Sequence, residues 1–128
     1  MKSEWPQKAL GWLIVKVTNA YEVRVNYPPY KYWRPRRFNK KGKWGVSLSA
    51  HYIICVDPSR KTLLHEWGHA MQSMKLGWKY LFTVGIVSIS RNIWDRIVHK
   101  KWDTKKRVEW YYSSWPENEA DKIGGVTR

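Results

Sequence analysis

The sequence predicts a single α+β domain, with a small antiparallel sheet in its first third followed by helices. Short β-branched or alternating runs come first, and a capped amphipathic segment with helical spacing lies near the middle. The chain has 128 residues, of which 43% are hydrophobic, so it is long enough for one hydrophobic core and too short for two domains. We therefore treat residues 1–128 as one domain, in which 1–45 hold strands and a basic loop and 46–125 hold the core.

Three segments predict the strands of this sheet. Residues 12–17 are short and β-branched, residues 21–25 alternate with period two, and the turn-like residues 18–20 between them complete a hairpin. Residues 46–54 alternate at first and then become continuously apolar, as a strand does when it enters a core. Together these segments predict an antiparallel sheet of about three strands.

Residues that favour helix ends mark the first helix. Asp57 and Pro58 are typical of an N-cap and a first helical position, and Gly77 is typical of a helix end, so we expect a helix over about residues 58–76. The apolar stretch 78–98 has helix-compatible spacing and predicts a second helix.

The C-terminal part predicts a basic loop and a short helix. Residues 99–107 are dominated by lysine and arginine, which favours a solvated loop. Residues 114–125 predict a helix that is capped by Ser114 and ended by Gly124 and Gly125.

The chain is strongly basic and rich in tryptophan. It carries 24 Lys plus Arg against 10 Asp plus Glu, a net charge of +14, together with 10 Trp and 8 Tyr. Residues 31–43 hold seven basic residues, interleaved aromatics and no acid, which indicates either a loop that grips phosphates or a solvated loop. These features favour an anionic partner, and the short apolar run 80–89 favours a membrane face over nucleic acid.

Three features bear on the compartment. The single cysteine, Cys55, excludes an intramolecular disulfide framework and is compatible with a reducing compartment. The N-terminus lacks an early apolar run, which predicts that there is no signal peptide. The run 80–89 is too short to span a membrane, which takes about 20 apolar residues. We therefore expect a cytoplasmic protein that is either free or peripheral to a membrane.

The strongest functional signal is the segment His65-Glu66-Trp67-Gly68-His69 in the first predicted helix. Residues four apart share a helix face, so His65 and His69 can bind one Zn²⁺. Glu66 can contact a metal-bound water without ligating the metal, and can take its proton as the water attacks a carbonyl. Gly68 costs about 1 kcal/mol relative to alanine inside a helix, which indicates that a backbone or a ligand packs closely there.

A catalytic zinc site also needs a third protein ligand and an open position. Glu117 and Asp121 are four residues apart and share a helix face, so a ligand Glu117 would let Asp121 accept a hydrogen bond from a ligand imidazole. Alternatively, Glu117 forms a capping box with Ser114. The other candidates for the third ligand are Glu119, Glu109, His99, His51 and Cys55.

The two motifs together resemble those of the gluzincin metallopeptidases, in which a His-Glu-x-x-His helix is completed by a Glu-x-x-Ala-Asp-type helix. The second motif begins at Glu117, 48 residues after His69. Its form is most similar to that of membrane-linked gluzincins, and residues 46–125 resemble small bacterial zincin-like proteins. The resemblance implies a zincin-like fold in which zinc is bound by His65, His69 and Glu117, the general base is Glu66, and Asp121 supports a ligand imidazole.

The function that this resemblance implies is hydrolysis of peptide bonds by a zinc-dependent metallopeptidase. It also implies that the strand 46–54 is a sheet edge that binds an extended peptide or protein substrate by β-augmentation. Tyr112 or Tyr111 is a candidate to polarise the oxyanion, and a core aromatic is the alternative role for both. The alternative function is a basic, Trp-rich module that binds a membrane or nucleic acid. Its zinc site would be structural or vestigial, which a closed fourth ligand would favour.

Overall fold

The computed structural model describes residues 3–37, 45–56 and 59–128. Within these ranges the chain is an α+β protein with a four-stranded sheet, which confirms the predicted class. In chain order the elements are α1 (Trp5–Thr18), β1 (Tyr21–Arg24), β2 (Lys31–Arg34), β3 (Gly45–Ser47), β4 (Ile53–Cys55), α2 (Arg60–Leu76), α3 (Ile86–Val98), α4 (Thr104–Tyr111) and α5 (Glu117–Gly124). A π-helical turn over Leu81–Gly85 precedes α3.

The chain begins with a helix, so the strand predicted at 12–17 is wrong. Proline in the first turn suits a helix start, and α1 buries a mostly polar or small face: Gln7, Gly11, Val15 and Thr18. The Gln7 amide donates to Ser73 Oγ at 3.0 Å and to the Gly77 carbonyl at 2.6 Å. The apolar residues of 12–17 mostly face outward, so their pattern did not identify the buried side of the helix.

The sheet is mixed, whereas an antiparallel sheet was predicted. Its order is β1-β2-β4-β3, with β1–β2 and β3–β4 antiparallel and β2–β4 parallel. The predicted strand 46–54 is two strands, β3 and β4, separated by a turn, and of these two only β3 lies at an edge of the sheet, opposite the edge formed by β1. The predicted basic loop 31–43 begins as strand β2, and its residues 38–43 lie outside the described residues.

The core lies between this sheet and α2. Its buried cluster consists of Tyr32, Ile53, Cys55, Leu63 and Ala70. Cys55 is therefore a buried core residue at the end of β4, one residue beyond the strand predicted at 46–54.

The helix α2 begins later than predicted and ends where predicted. Ser59 is its N-cap, with Ser59 Oγ accepting from the Thr62 amide at 3.3 Å, so the predicted cap Asp57 is wrong; Asp57 and Pro58 themselves lie outside the described residues. Gly77 ends the helix with a φ of 60°, a conformation that favours glycine.

The C-terminal half is helical, and two of its predicted boundaries are wrong. The helix predicted at 78–98 is present, but the predicted basic loop 99–107 already enters α4, which Asp103 caps through a 2.7 Å bond from the Lys106 amide. Ser114 does not cap α5 with its side chain, because α5 begins at Glu117 after Pro116. Among the described residues, none of the helices combines the length and apolar character needed to cross a membrane.

Candidate metal centre

Three buried side chains from two helices converge on one point. His65 and His69 lie one turn apart on α2, and Glu117 is the first residue of α5. Glu117 Oε2 lies 2.8 Å from Nε2 of His65 and 2.8 Å from Nε2 of His69. The three ligand atoms lie within 4.8 Å of one another, so this group can hold a metal ion.

Close contact between α2 and α5 brings Glu117 to the histidines. A Cβ on Gly68 would overlap the backbone carbonyl of Ala120, and a Cβ on Gly124 would overlap the carbonyl of Leu64. Glycine at these positions lets the two helices approach until their backbones touch. The sequence-based inference that a backbone packs against Gly68 is confirmed.

Each imidazole is held by a hydrogen bond at its other nitrogen. His65 Nδ1 lies 2.7 Å from Asp121 Oδ1, and His69 Nδ1 lies 2.7 Å from Gln72 Oε1. An ionised carboxylate and an amide oxygen only accept, so both Nδ1 atoms donate, and in a neutral ring Nε2 keeps its lone pair. With both rings neutral, two lone pairs would face the Glu117 carboxylate, so the arrangement requires protons or a cation between them.

Gln72 was missed by sequence reasoning, although its position three residues after His69 on the same helix face was the signal. Its amide nitrogen donates to the Pro116 carbonyl at 3.1 Å and to Glu119 Oε1 at 3.0 Å. These two bonds orient the amide so that its oxygen meets His69. Glu119 therefore contacts the support of a histidine and not the histidines themselves.

The second oxygen of Glu117 is fixed by two hydroxyl donors. Ser88 Oγ donates to Glu117 Oε1 at 2.6 Å, and the Tyr111 hydroxyl donates to the same atom at 3.0 Å. With Oε1 occupied, Oε2 is the oxygen that faces the imidazoles. Glu117 therefore does not form the capping box with Ser114 that was its alternative role. Ser88 carries no sequence signal, because it lies 29 residues from Glu117 in the chain.

The electrostatics of the cluster favour positive charge between the three ligands. Burial lowers the pKa of His65, but the hydrogen bonds to Asp121 and Glu117 outweigh it and raise that pKa to about 9. The pKa of His69 is also raised, because its bond to Glu117 outweighs burial. Burial raises the pKa of Glu117, and the bonds from the two histidines reverse this and hold it below its ordinary value.

Glu66 lies beside the cluster without joining it. Its side chain is buried, and burial raises its pKa even though His69 and His65 lower it. Among the described residues, Glu66 Oε2 has no hydrogen-bond partner. A buried acceptor of this kind needs a water or another donor. The Glu66 carboxyl group lies close to edge strand β3. A Cβ atom placed on Gly45, the first residue of β3, would be 3.4 Å from that carboxyl group.

Tyr112 contacts the cluster through its ring. The Tyr112 and His65 ring centroids are 5.1 Å apart and the rings are perpendicular. The Arg128 guanidinium lies 3.4 Å from the Tyr112 centroid and also binds Asp121 at 2.6 Å. Burial raises the pKa of Tyr112 to about 12, although Arg128 lowers it. Its hydroxyl therefore stays protonated at neutral pH, as an oxyanion donor must.

The remaining ligand candidates lie elsewhere in the described part of the chain. Glu109 and His51 are exposed, and Cys55 is buried in β4. His99 is buried against Asp95 at 3.1 Å and stacks on Trp102 with centroids 3.6 Å apart. The three-residue cluster thus has no fourth histidine, cysteine, aspartate or glutamate ligand among the described residues.

The donor set fits a zinc ion. Two imidazoles and one carboxylate are a set that catalytic zinc sites use, with the fourth position left for water or substrate. No protein-family model, curated protein or solved structure matches the chain. The interpretation of the site therefore comes from its own geometry.

Proposed function

We propose that the protein is a zinc-dependent metallopeptidase that hydrolyses peptide bonds in a peptide or protein substrate. The observation that carries this proposal is the buried His65, His69 and Glu117 cluster, to which the described residues add no fourth histidine, cysteine, aspartate or glutamate ligand. Glu66, next to His65 in the chain, has a buried carboxyl oxygen without a hydrogen-bond partner among the described residues. The motif resemblance to the gluzincins supports the same chemistry and a zincin-like fold.

Each residue of the proposed active site has its own role in peptide-bond hydrolysis. A zinc ion held by the three ligands would polarise the attacking water and the substrate carbonyl. Glu66 takes the proton of the water and delivers it to the leaving amine. Its raised pKa suits this exchange, because a general base works best when its pKa lies near the working pH. Tyr112 is the proposed hydrogen-bond donor to the oxyanion.

Strand β3 is the proposed substrate edge. It pairs only with β4 in the described sheet, so an extended peptide would add to its other side. The Ser47 carbonyl at the end of β3 already accepts from the Tyr80 hydroxyl at 2.8 Å, so the added strand would pair with the residues of β3 that precede it. Gly45 at the start of β3 adjoins the Glu66 carboxyl group. A peptide paired there would pass close to the proposed base.

The decisive experiment separates metal binding from hydrolysis. Glu66→Gln should retain zinc, measured by elemental analysis of the purified protein, and lose cleavage of a quenched fluorescent peptide library. His65→Ala, His69→Ala and Glu117→Ala should lose zinc and activity together. Glu109→Gln, which changes an exposed glutamate on α4, is the matched control and should keep both.

Two results would contradict the proposal. Loss of zinc in Glu66→Gln would show that this residue acts on the metal and not on the water. A wild-type protein that holds zinc and cleaves no peptide would favour the second candidate function, a basic binding module with a structural metal. The net charge of +14 and the exposed tryptophans favour that candidate, and either function is compatible with a proposed cytoplasmic location.

A further inference from the structure

One face of α3 and the turn before it exposes a row of apolar side chains. This row, the α3 stripe, consists of Phe82, Ile86, Ile89, Ile93 and Ile97. Its members recur every three or four residues, and each is between 53% and 67% exposed. A continuous apolar row of this kind on a helix surface marks an interaction site.

Contacts on the opposite face fix the orientation of α3. Ser88 donates to Glu117 at 2.6 Å, Arg107 of α4 binds Asp95 at 2.9 Å, and Arg91 donates to the Trp110 carbonyl of α4 at 2.8 Å. The helix therefore cannot turn its stripe inward without breaking these contacts.

The exposed charges within residues 79–101, the segment that carries the stripe, are all positive. Lys79 precedes it, Arg96 flanks it, and Lys100 and Lys101 follow it, all of them exposed. The one acid between residues 79 and 101 is Asp95, which is paired on the inner face. The segment that carries the stripe thus combines exposed apolar side chains with exposed charges of positive sign only.

We propose that the α3 stripe docks into the interface of an anionic membrane, with α3 lying parallel to the surface. Apolar side chains would enter the headgroup boundary while the cations contact acidic lipids. Trp94, 57% exposed on the same helix, is of the residue type that settles at headgroup depth. The short helix suits this position because it need not cross the bilayer.

The same charges disfavour a second copy of the chain as the occupant. Antiparallel packing of two stripes would place Lys79 of one copy near Lys100 and Lys101 of the other, and parallel packing would bring the two Arg96 side chains together. Like charges that oppose one another across an interface are costly. The proposal stands apart from the metal chemistry.

Co-sedimentation with vesicles tests it. Vesicles of phosphatidylcholine with about 30% phosphatidylglycerol should bind the protein, and pure phosphatidylcholine should bind it much more weakly. Raising the salt from about 50 to about 300 mM should weaken binding to the anionic vesicles, because the cationic part is screened. Ile89→Gln/Ile93→Gln should weaken binding by about tenfold or more.

The matched control is Val108→Gln/Ile123→Gln, which changes exposed apolar residues on α4 and α5 and should bind like the wild type. Lys100→Gln/Lys101→Gln should lose about fivefold in affinity for each lysine removed, on anionic vesicles only. All of these positions are exposed, so the variants should keep the wild-type circular dichroism and melting temperature.

Equal or negligible binding to both kinds of vesicle overturns the proposal. So does a wild-type dimer that Ile89→Gln/Ile93→Gln converts to a monomer while vesicle binding stays absent. Salt-sensitive binding that is the same in Ile89→Gln/Ile93→Gln as in the wild type would also overturn it, because the membrane contact would then lie on another part of the surface.

Discussion

The two oxygens of the Glu117 carboxylate have different partners, and this difference defines the site. Oε1 accepts from Ser88 and Tyr111, whereas Oε2 faces both imidazoles. A carboxylate held in this way can offer a metal one oxygen and not two. The hydroxyl donors come from α3 and α4, so three helices besides α5 determine where a ligand atom of α5 lies.

Asp121 provides a test at the residue scale. Asp121→Ala should weaken zinc binding by about 10- to 100-fold, because His65 loses the acceptor that fixes its ring and tautomer. Asp121→Asn should lose less, since its amide oxygen still accepts from Nδ1. Competition with a chromogenic chelator measures both affinities. Equal zinc affinity in the wild type and in Asp121→Ala would show that Asp121 does not support metal binding.

At the element scale, α2 and α5 were largely predictable and α1 was not. The His65–His69 and Glu117–Asp121 spacings follow from helix geometry alone, so these residues were found without the structure. In α1 the buried face contains Gln7, Gly11 and Thr18 while its tryptophans face outward, so hydrophobic patterning gave no helical signal and predicted a strand at 12–17.

The residues that support the site also divide into those that the sequence could predict and those that it could not. Gln72 lies on a predicted helix next to its partner and was within reach of helix geometry. Ser88 and Tyr111 reach Glu117 only because the start of α3 and the end of α4 come close to the first residue of α5, a tertiary arrangement that no local pattern encodes. The apolar residues of α3 indicated a helix correctly, and the run 80–89 favoured a membrane contact, but only the structure shows which of these residues form one exposed row.

Gly68 provides the test at this scale. Gly68→Ala should lower the free energy of unfolding by about 1–3 kcal/mol, because the new methyl group overlaps the Ala120 backbone and forces α5 away. Zinc affinity should fall as well, since Glu117 moves with α5. Urea denaturation and chelator competition measure the two effects.

The matched control is Gly85→Ala, in the helical turn before α3. The nearest atom to a Cβ there is the Tyr80 carbonyl oxygen at 3.7 Å, an ordinary contact. Helix propensity then predicts an unchanged or slightly raised stability, by up to about 1 kcal/mol. If Gly68→Ala behaved like this control, close packing of α2 on α5 would not be what holds Glu117.

At the scale of the whole molecule, charge is distributed unevenly between interior and surface. The protein has only 10 acidic residues against 24 basic ones, yet Glu66, Glu117 and Asp121 are all buried at one site. The carboxylates therefore lie where they can balance the charge of a cation, whether a metal ion or protonated histidine, while the exposed lysines and arginines give the surface its positive field. The proposed metal site depends on the buried acidic residues, and the proposed membrane contact depends on the exposed basic ones.

This arrangement links zinc binding to pH through His65. In the metal-free protein the pKa of His65 is raised from 6.5 to about 9, so below pH 9 an incoming zinc ion must displace a proton. Zinc affinity should rise with pH up to about 9, by about tenfold per pH unit for each proton displaced. Titration calorimetry in buffers of different ionisation enthalpy measures the protons released, and a release of none would contradict the raised pKa.

The stability of the metal-free protein should change in the opposite direction. A pKa that is raised on folding stabilises the folded state fully below pH 6.5, and this contribution is lost as the pH rises through about 9. Urea denaturation in the presence of a chelator should therefore show stability falling across that window. The zinc-bound protein should lack this fall, because the metal replaces the proton between His65 and Glu117. A metal-free protein that gained stability from pH 6.5 to 9 would show that the cluster is not held together by protonated histidine.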